Sequence, residues 1–316
     1  MNRRVITVFG GSGFIGRHLV RRLAADDWIV RVAVRDPEAA IFLKTAGDVA
    51  QINVVAADVG QPQSVEDAVD GVDAVVNLVG ILYKRGRQTF HRVHVEGATT
   101  VASAAHAAGV KRLVQMSAIG ADAESPSEYA RSKAGGEKGA KEAFPGASIV
   151  RPSVVFGPED DFFNRFAAMA RTLHVLPVFD TTMQPVYVGD VAQAIATIVN
   201  DPSTAGKTYE LGGPRTIHFR ELMDIVIRET DRRCQLMQMP MGLAKVQAFF
   251  LEWLPTPPLT RDQLKLLQRD NVVSEGAPNL TDLGIQPTAV EAIVPTYLHR
   301  YRPPFSQRRR VLGRQA

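Results

Sequence analysis

Residues 8–20 read "VFGGSGFIGRHLV", and the placing of Gly10, Gly13 and Gly16 within them decides the fold. The apolar run "VITVFG", beginning at Val5, leads into the glycines, and an apolar helical pattern follows them. Three glycines between a strand and a helix answer three steric demands: a tight turn, close approach of backbone to a pyrophosphate, and close packing of helix on strand. The phosphate charge then sits at the helix N-terminus, where unpaired N–H groups and the helix dipole meet it. Gly10, Ser12, Gly13, Phe14, Ile15 and Gly16 are therefore expected to hold a dinucleotide.

Outward from this turn, short apolar runs alternate with helical segments. "WIVRVAV", "INVVAADV", "DAVVNLVG", "RLVQMSA" and "SIVRPSVVFG" read as strands, with "SVEDAVDG" and one long helix around "HVEGATTVASAAHAAG" among the connections. Such alternation implies a parallel sheet covered on both faces, an α/β Rossmann-like doubly wound fold. After Arg151 the pattern is less regular and richer in proline, with helices expected over 188–200, 218–230, 240–254, 260–270 and 288–299. The expected organisation is a nucleotide-binding domain over 1–151, to which some later segments return, a smaller C-terminal α/β lobe over 152–299, and a tail over 300–316. In "PMGLAKVQAFFLEWLPTPPL" a helix is bracketed by prolines. Its Phe249, Phe250, Trp253 and Leu254 are expected to pack inside the smaller lobe, with a partner or membrane-surface contact as the alternative.

The chain has 316 residues, 45% hydrophobic and 22% charged, enough for a sizeable core and unlike a disordered sequence. Cys234 is the single cysteine, so no internal disulfide forms, and no Cys and His cluster has metal-ligand spacing. A reducing cytoplasmic setting without structural metal is expected. With the first strand starting at Val5 no signal peptide is expected, and no apolar stretch approaches the roughly 20 residues that span a bilayer. A soluble or peripheral protein follows. Arginines 300, 302, 308, 309, 310 and 314 lie in a tail without an acid, leaving 31 basic against 33 acidic residues in the rest. The tail is expected to be a solvated end or to dock on an acidic protein surface or anionic lipid. Nucleic acid is not expected, because no aromatic platforms are interleaved with the arginines.

At the end of the second strand, "VAVRD" puts Val34 where an NAD-preferring site offers an acid, followed by Arg35. A guanidinium there suits a 2′-phosphate, which favours NADPH over NADH; the alternative has Asp36 serving the ribose. Asp58, with Val59, ends "VVAADV" where it can reach the adenine, and Leu78, Val79 and Gly80 of "NLVG" come beside the ribose. Residues 128–137, "EYARSKAGGE", place Tyr129 and Lys133 four apart on one helical face. A neighbouring ammonium and the nicotinamide charge are expected to lower the phenol towards the range of a general acid or base, while the lysine holds ribose hydroxyls. Ser117, just past "RLVQM", can hydrogen-bond a substrate carbonyl, and Pro152 and Ser153 complete the expected cofactor contacts.

With the glycine turn, "QMSAIG" and this order along the chain, the sequence resembles the short-chain dehydrogenase/reductase superfamily in its extended and atypical branches. "NLVGILYKRGRQTFHRVHVEGA", "YARSKAGGEKGAKEAFPGASIVRPSVVFGPEDDFFNRF" and "LPTPPLTRDQLKLLQRDNVVS" are similar to the NAD(P)H-binding accessory subunits of respiratory complex I, NADH:ubiquinone oxidoreductase, and their alphaproteobacterial relatives. This resemblance implies a subunit on the peripheral arm near the quinone junction with the membrane arm. It would lie on the cytoplasmic face of the inner membrane, holding NADPH without established turnover, with complex I subunits as partners. Extended sugar-active members carry Asn in "NVxGT", whereas "HVEGA" here has His94. That departure weakens an epimerase reading, while Ser117, Tyr129 and Lys133 keep open a stand-alone NADP-dependent reductase.

Overall fold

The computed structural model describes residues 4–254, 257 and 259–303; the tail expected from 300 onward lies outside the described residues after Pro303. The first half of the chain runs β1 (Val5–Phe9), α1 (Phe14–Ala25), β2 (Ile29–Val34), β3 (Ile52–Ala56), α2 (Pro62–Val69), β4 (Ala74–Asn77), α3 (Gly97–Ala107), β5 (Arg112–Met116), α4 (Glu128–Ala143) and β6 (Ser148–Pro152). There follow β7 (Val155–Phe156), α5 (Phe163–Thr172), β8 (Val175–Val178), β9 (Thr182–Met183), β10 (Val186–Tyr187), α6 (Val188–Asn200), β11 (Thr208–Leu211) and β12 (Ile217–His218). The chain continues through α7 (Phe219–Thr230), β13 (Gln235–Gln238), α8 (Met241–Leu251), α9 (Arg261–Leu266) and α10 (Val290–Leu298).

Two compact units result. The first takes the described parts of 1–152 together with Val188–Leu211 and Val273–Ile285. Its seven strands are all parallel, in the order β3-β2-β1-β4-β5-β6-β11. Residues such as Ile6, Val8, Val30, Val32, Val75 and Val76 are wholly buried, as expected for strands covered on both faces. Helices α1 and α6 pack together on one face. On the other, α2, α3 and α4 bury Val65, Val101, Ala105 and Ala140 against Phe9, Val75 and Leu113. The order reverses between β1 and β4, and Phe9 stands opposite Asn77 at the C-terminal end of that pair. In parallel sheets that reversal is where ligands bind.

The run "SIVRPSVVFG" is not one strand. Only Ser148–Pro152 joins the large sheet; Val155–Phe156 pairs with β10 in the second unit. The seventh strand is supplied instead by β11, which returns beside β6. A buried ion group fastens this return. Arg151 on β6 makes a two-pronged contact with Glu137 of α4, at 2.8 and 2.7 Å, and reaches Glu210 of β11 at 3.3 Å. The other oxygen of Glu210 accepts the Ser274 N–H at 2.8 Å.

The second unit takes Ser153–Tyr187, Gly212–Val272 and the described part from Gln286. Its core gathers Phe156, Phe163, Phe219, Leu222, Met223, Val226 and Leu264. The Asp160 carboxylate holds the turn before α5, accepting from Gly157 N–H at 3.0 Å, Asn164 N–H at 3.1 Å and the Tyr297 hydroxyl at 2.5 Å. Helix α8 corrects the expectation that its large apolar residues pack inward. Phe249, Phe250, Trp253 and Leu254 are 44, 67, 81 and 49% exposed, because Ala244 and Ala248 occupy the buried face.

Replacing Arg151 with Met leaves Glu137 and Glu210 buried without their cation. Removing one partner of such a group costs about 3–5 kcal/mol, so Arg151→Met should lower denaturant stability by that amount. An unchanged midpoint in urea would show that the ion group does not hold the seventh strand.

Candidate functional site

The glycine turn is fixed by sterics. Gly10 has φ +75°, a left-handed conformation, and donates its N–H to the Ala33 carbonyl at 3.0 Å. The Gly13 N–H turns back to the Gly10 carbonyl at 3.0 Å. A Cβ at Gly16 would lie 2.4 Å from that same carbonyl oxygen, so the first turn of α1 can pass this close to the glycine turn only with a glycine as its third residue. Gly13 caps α1 without a side-chain bond, and the first turn carries no acid, so the helix presents its unpaired N–H groups as an anion cradle. These features fit a nucleotide pyrophosphate against Gly10, Ser12, Gly13, Phe14, Ile15 and Gly16.

The Leu78 N–H donates to the Phe9 carbonyl at 3.0 Å, which brings Leu78–Gly80 alongside the glycine turn. A Cβ at Gly10 would meet Leu78 C and Val79 N at 3.4 Å. The bend of this loop is set by a residue the sequence did not single out for it. Asn77 accepts from the Val79 N–H at 3.1 Å and donates to Gln115 at 2.9 Å, a buried amide bridge across the ends of β4 and β5. On the adenosine side, Arg35 follows β2 and is exposed. The neighbouring Asp36 carboxylate accepts the Ala39 N–H at 3.1 Å. Asp58 is turned to its own loop, accepting the Gly60 N–H at 2.9 Å, and Val59 packs where a Cβ at Gly97 would meet it at 2.8 Å.

Helix α4 starts at Ser127, whose hydroxyl accepts the Ala130 N–H at 3.3 Å. Tyr129 and Lys133 lie on one face, with Nζ 5.7 Å from the centre of the phenol ring. Lys133 is buried, and a Cβ at Gly80 would stand 3.3 Å from Nζ, so the β4 loop and the lysine are in close reach. Burial opposes the lowering of the phenol expected from the lysine and the nicotinamide charge. Burial pushes Tyr129 up to about 12. Burial also brings Lys133 down to about 8, against the opposing pull of Glu137. Taking charge out of water is the leading cause for both groups. Ser117 is 4% exposed; its N–H donates to the Val150 carbonyl at 2.7 Å, yet its hydroxyl has no partner among the described residues. A buried hydroxyl of this kind calls for a polar atom of a bound group. Pro152 accepts the Ile119 N–H at 3.1 Å at the end of β6. Ser153 belongs to the second unit, where its hydroxyl lies 2.9 and 2.6 Å from the two oxygens of Asn271.

His94 proves to be an organising residue. The segment read as one long helix opens with a wider, π-type turn over His91–Glu96, and α4 presses on it where a Cβ at Gly136 would lie 2.1 Å from the His94 carbonyl. The buried His94 ring stacks on Phe90 at 5.6 Å and meets Tyr129 edge-on at 5.4 Å. Its protons can be assigned. The Ser132 hydroxyl donates to the Tyr129 carbonyl at 2.7 Å, so His94 Nδ1, 2.8 Å from Ser132 Oγ, must carry the hydrogen. Nε2 is then the acceptor for the Ile81 N–H at 3.0 Å. Burial first, then the Lys133 charge, hold the ring down to about 3. His94 thus ties the loop after β4 to α4 as a neutral imidazole. The signal in the sequence was its substitution for the Asn of related chains.

Comparison with known proteins agrees with this architecture. The model of the NAD dependent epimerase/dehydratase family matches residues 6–212. The NADH-ubiquinone oxidoreductase 40 kDa subunit, mitochondrial, of Neurospora crassa is 33% identical over 98% of this chain and 84% of its own length. NADH dehydrogenase [ubiquinone] 1 alpha subcomplex subunit 9, mitochondrial, of Mus musculus is 34% identical over 94% of this chain and 80% of its own length. Among solved structures, the dTDP-glucose 4,6-dehydratase DesIV of Streptomyces venezuelae, with NAD and TYD bound, superposes with a TM-score of 0.72 at 20% identity, covering 94% of this chain and 96% of that one. The chain belongs to the NAD dependent epimerase/dehydratase family, and within it to the group that contains these NADH-ubiquinone oxidoreductase subunits.

Proposed function

We propose that this chain is an NADP(H)-binding accessory subunit of respiratory complex I, seated peripherally on the cytoplasmic face of the inner membrane near the quinone junction, and that it holds its nucleotide without turning it over. One observation carries this reading: the similarity to oxidoreductase subunits extends through 98% of the chain, the second unit included. The site geometry supports a clamp. A phenol pushed up to about 12 is a poor proton acceptor near neutral pH. His94, with both ring nitrogens engaged, offers no relay. The nucleotide would lie along the glycine turn, with Asp58 and Val59 at the adenine and Leu78, Val79 and Gly80 at the ribose. Lys133 would donate to the nicotinamide ribose hydroxyls, Ser117 would satisfy its hydroxyl on the bound group, and Pro152 would flank it. Arg300 and Arg302 are already bonded to Asn164 and Glu229, so in this reading arginines 308, 309, 310 and 314 are the ones that meet an acidic protein surface of the complex or anionic headgroups.

Affinity purification of the chain from native membranes tests this reading. Co-migration with complex I subunits is expected, and a free soluble homodimer that reduces a carbonyl substrate would overturn it. The latter outcome would favour the second reading, a stand-alone NADP-dependent reductase or epimerase-like enzyme. Its support is the presence of Ser117, Tyr129 and Lys133 together, with the serine hydroxyl unpartnered among the described residues.

Cofactor choice rests on Arg35. Arg35 is exposed at the end of β2, where it would meet a 2′-phosphate, while Asp36, the rival for the ribose, already caps Ala39. NADPH should bind more tightly than NADH, and Arg35→Ala should remove about 1.5–3 kcal/mol from NADPH binding alone. Equal calorimetric affinities of the unmutated protein for the two nucleotides would refute the assignment.

Lys133 gives the site a pH dependence with a definite sign. The ammonium is the donor to the ribose, and in the free protein it is lost as pH rises through about 8. NADPH affinity should therefore be level below that value and fall above it, and Lys133→Met should bind weakly with a flat profile. A wild-type affinity that stays level on both sides of that pH would show that the lysine is not the clamp.

A further inference from the structure

Helix α8 is built inside out. Its buried residues are Ala244 and Ala248, whereas Leu243, Val246, Phe249 and Phe250 are exposed, and the apolar surface continues through Trp253 and Leu254. A helix that only completes the core of its unit turns its large apolar side chains inward. The reverse arrangement leaves a contiguous apolar face, which marks a surface that binds something.

Charge indicates what it binds. Lys245 is the one charged residue of α8. Helix α9 packs on α8, and the Arg261 guanidinium lies 5.2 Å from the centre of the Phe249 ring. From Met241 to Arg269 there are four basic residues and two acids. Both acids are paired within this group, Glu252 with Arg261 at 2.9 Å and Asp262 with Lys265 at 3.6 Å. The stretch is thus net +2 in a chain that, without its last seventeen residues, has 31 basic against 33 acidic residues. A basic rim around an aromatic, apolar face matches a bilayer interface with anionic headgroups. Phe and Trp settle at headgroup depth, and lysine and arginine reach the phosphates. A second copy would instead set one net-positive surface against another, so charge opposes self-association through this face. Eleven helical residues are too few to cross a membrane, and no helix among the described residues is long and apolar enough to do so.

We infer that the α8 face, from Leu243 to Leu254, is a docking site for an anionic bilayer surface, lying in the interface with Phe250 and Trp253 as its anchors. This assignment does not depend on the accessory-subunit reading.

The two tryptophans make it measurable, because Trp28 is 2% exposed and Trp253 is 81% exposed. The purified full chain is mixed with vesicles of phosphatidylglycerol and phosphatidylethanolamine, and with phosphatidylcholine vesicles as the neutral control. Sedimentation with the anionic vesicles, a blue shift of Trp253 emission and its quenching by brominated acyl chains are expected. Phe250→Ser with Trp253→Ser should reduce partitioning by at least about tenfold at an unchanged melting temperature. If the double variant melts lower, Phe250→Ser alone keeps Trp253 as reporter and should still weaken partitioning. Emission of Trp253 indifferent to anionic vesicles, or variants that partition like the parent, overturns the inference. So does loss of co-purifying protein from the variants without any change in vesicle binding, which would assign the face to a protein, and so does a change in self-association alone, which would assign it to a second copy.

Discussion

No atom larger than hydrogen fits on the α-carbon of residue 16, and the nucleotide site depends on that contact. Because Gly16 closes on the Gly10 carbonyl, α1 starts immediately above the end of β1. Its N-terminal N–H groups then gather where the strand order reverses. The β1–β4 ladder carries Leu78 to the Phe9 carbonyl, so the loop that would meet the ribose lies beside the turn that would meet the phosphates. A methyl group at residue 16 would have to displace backbone, which yields far less readily than a side chain.

Behind this turn, desolvation governs the chemistry. Tyr129, Lys133 and His94 all move away from their charged forms for one first cause, burial. The Lys133 charge deepens the shift of His94, and Glu137 trims that of Lys133. A pocket of this kind suits a ligand that brings its own charges and hydroxyls, since the protein supplies donors with little competing water. The paired nitrogens of His94 keep the imidazole from contributing a proton, and they also stiffen the contact between Ile81 and α4.

The parts of this arrangement that follow from local rules were legible in the sequence. The glycine turn, the alternation of strands and helices, and the four-residue spacing of Tyr129 and Lys133 all express constraints that act within a few residues. What was not legible depends on three-dimensional neighbours. Asn77 and Gln115 meet only because β4 and β5 are adjacent in the sheet. The shift of the Tyr129 phenol required knowing how far the folded chain buries it. "SIVRPSVVFG" looked continuous because its residues favour strand throughout, yet pairing partners ended β6 at Pro152. The aromatic residues of α8 were assigned inward on composition, and the alanines that displaced them are visible only in the packed unit.

The late return of β11 and of residues 273–285 to the first unit sets the order in which the molecule can be made. A ribosome releases the chain from its N-terminus, and simple domains fold as they emerge. Here six strands emerge early, but until Thr208–Leu211 arrives β6 is an edge whose open N–H and C=O groups can pair with any passing strand. Glu210 then waits for Ser274 before its second oxygen is satisfied. The nucleotide-binding half of the protein is therefore not a portable module: its unit is complete only once residue 285 has been made.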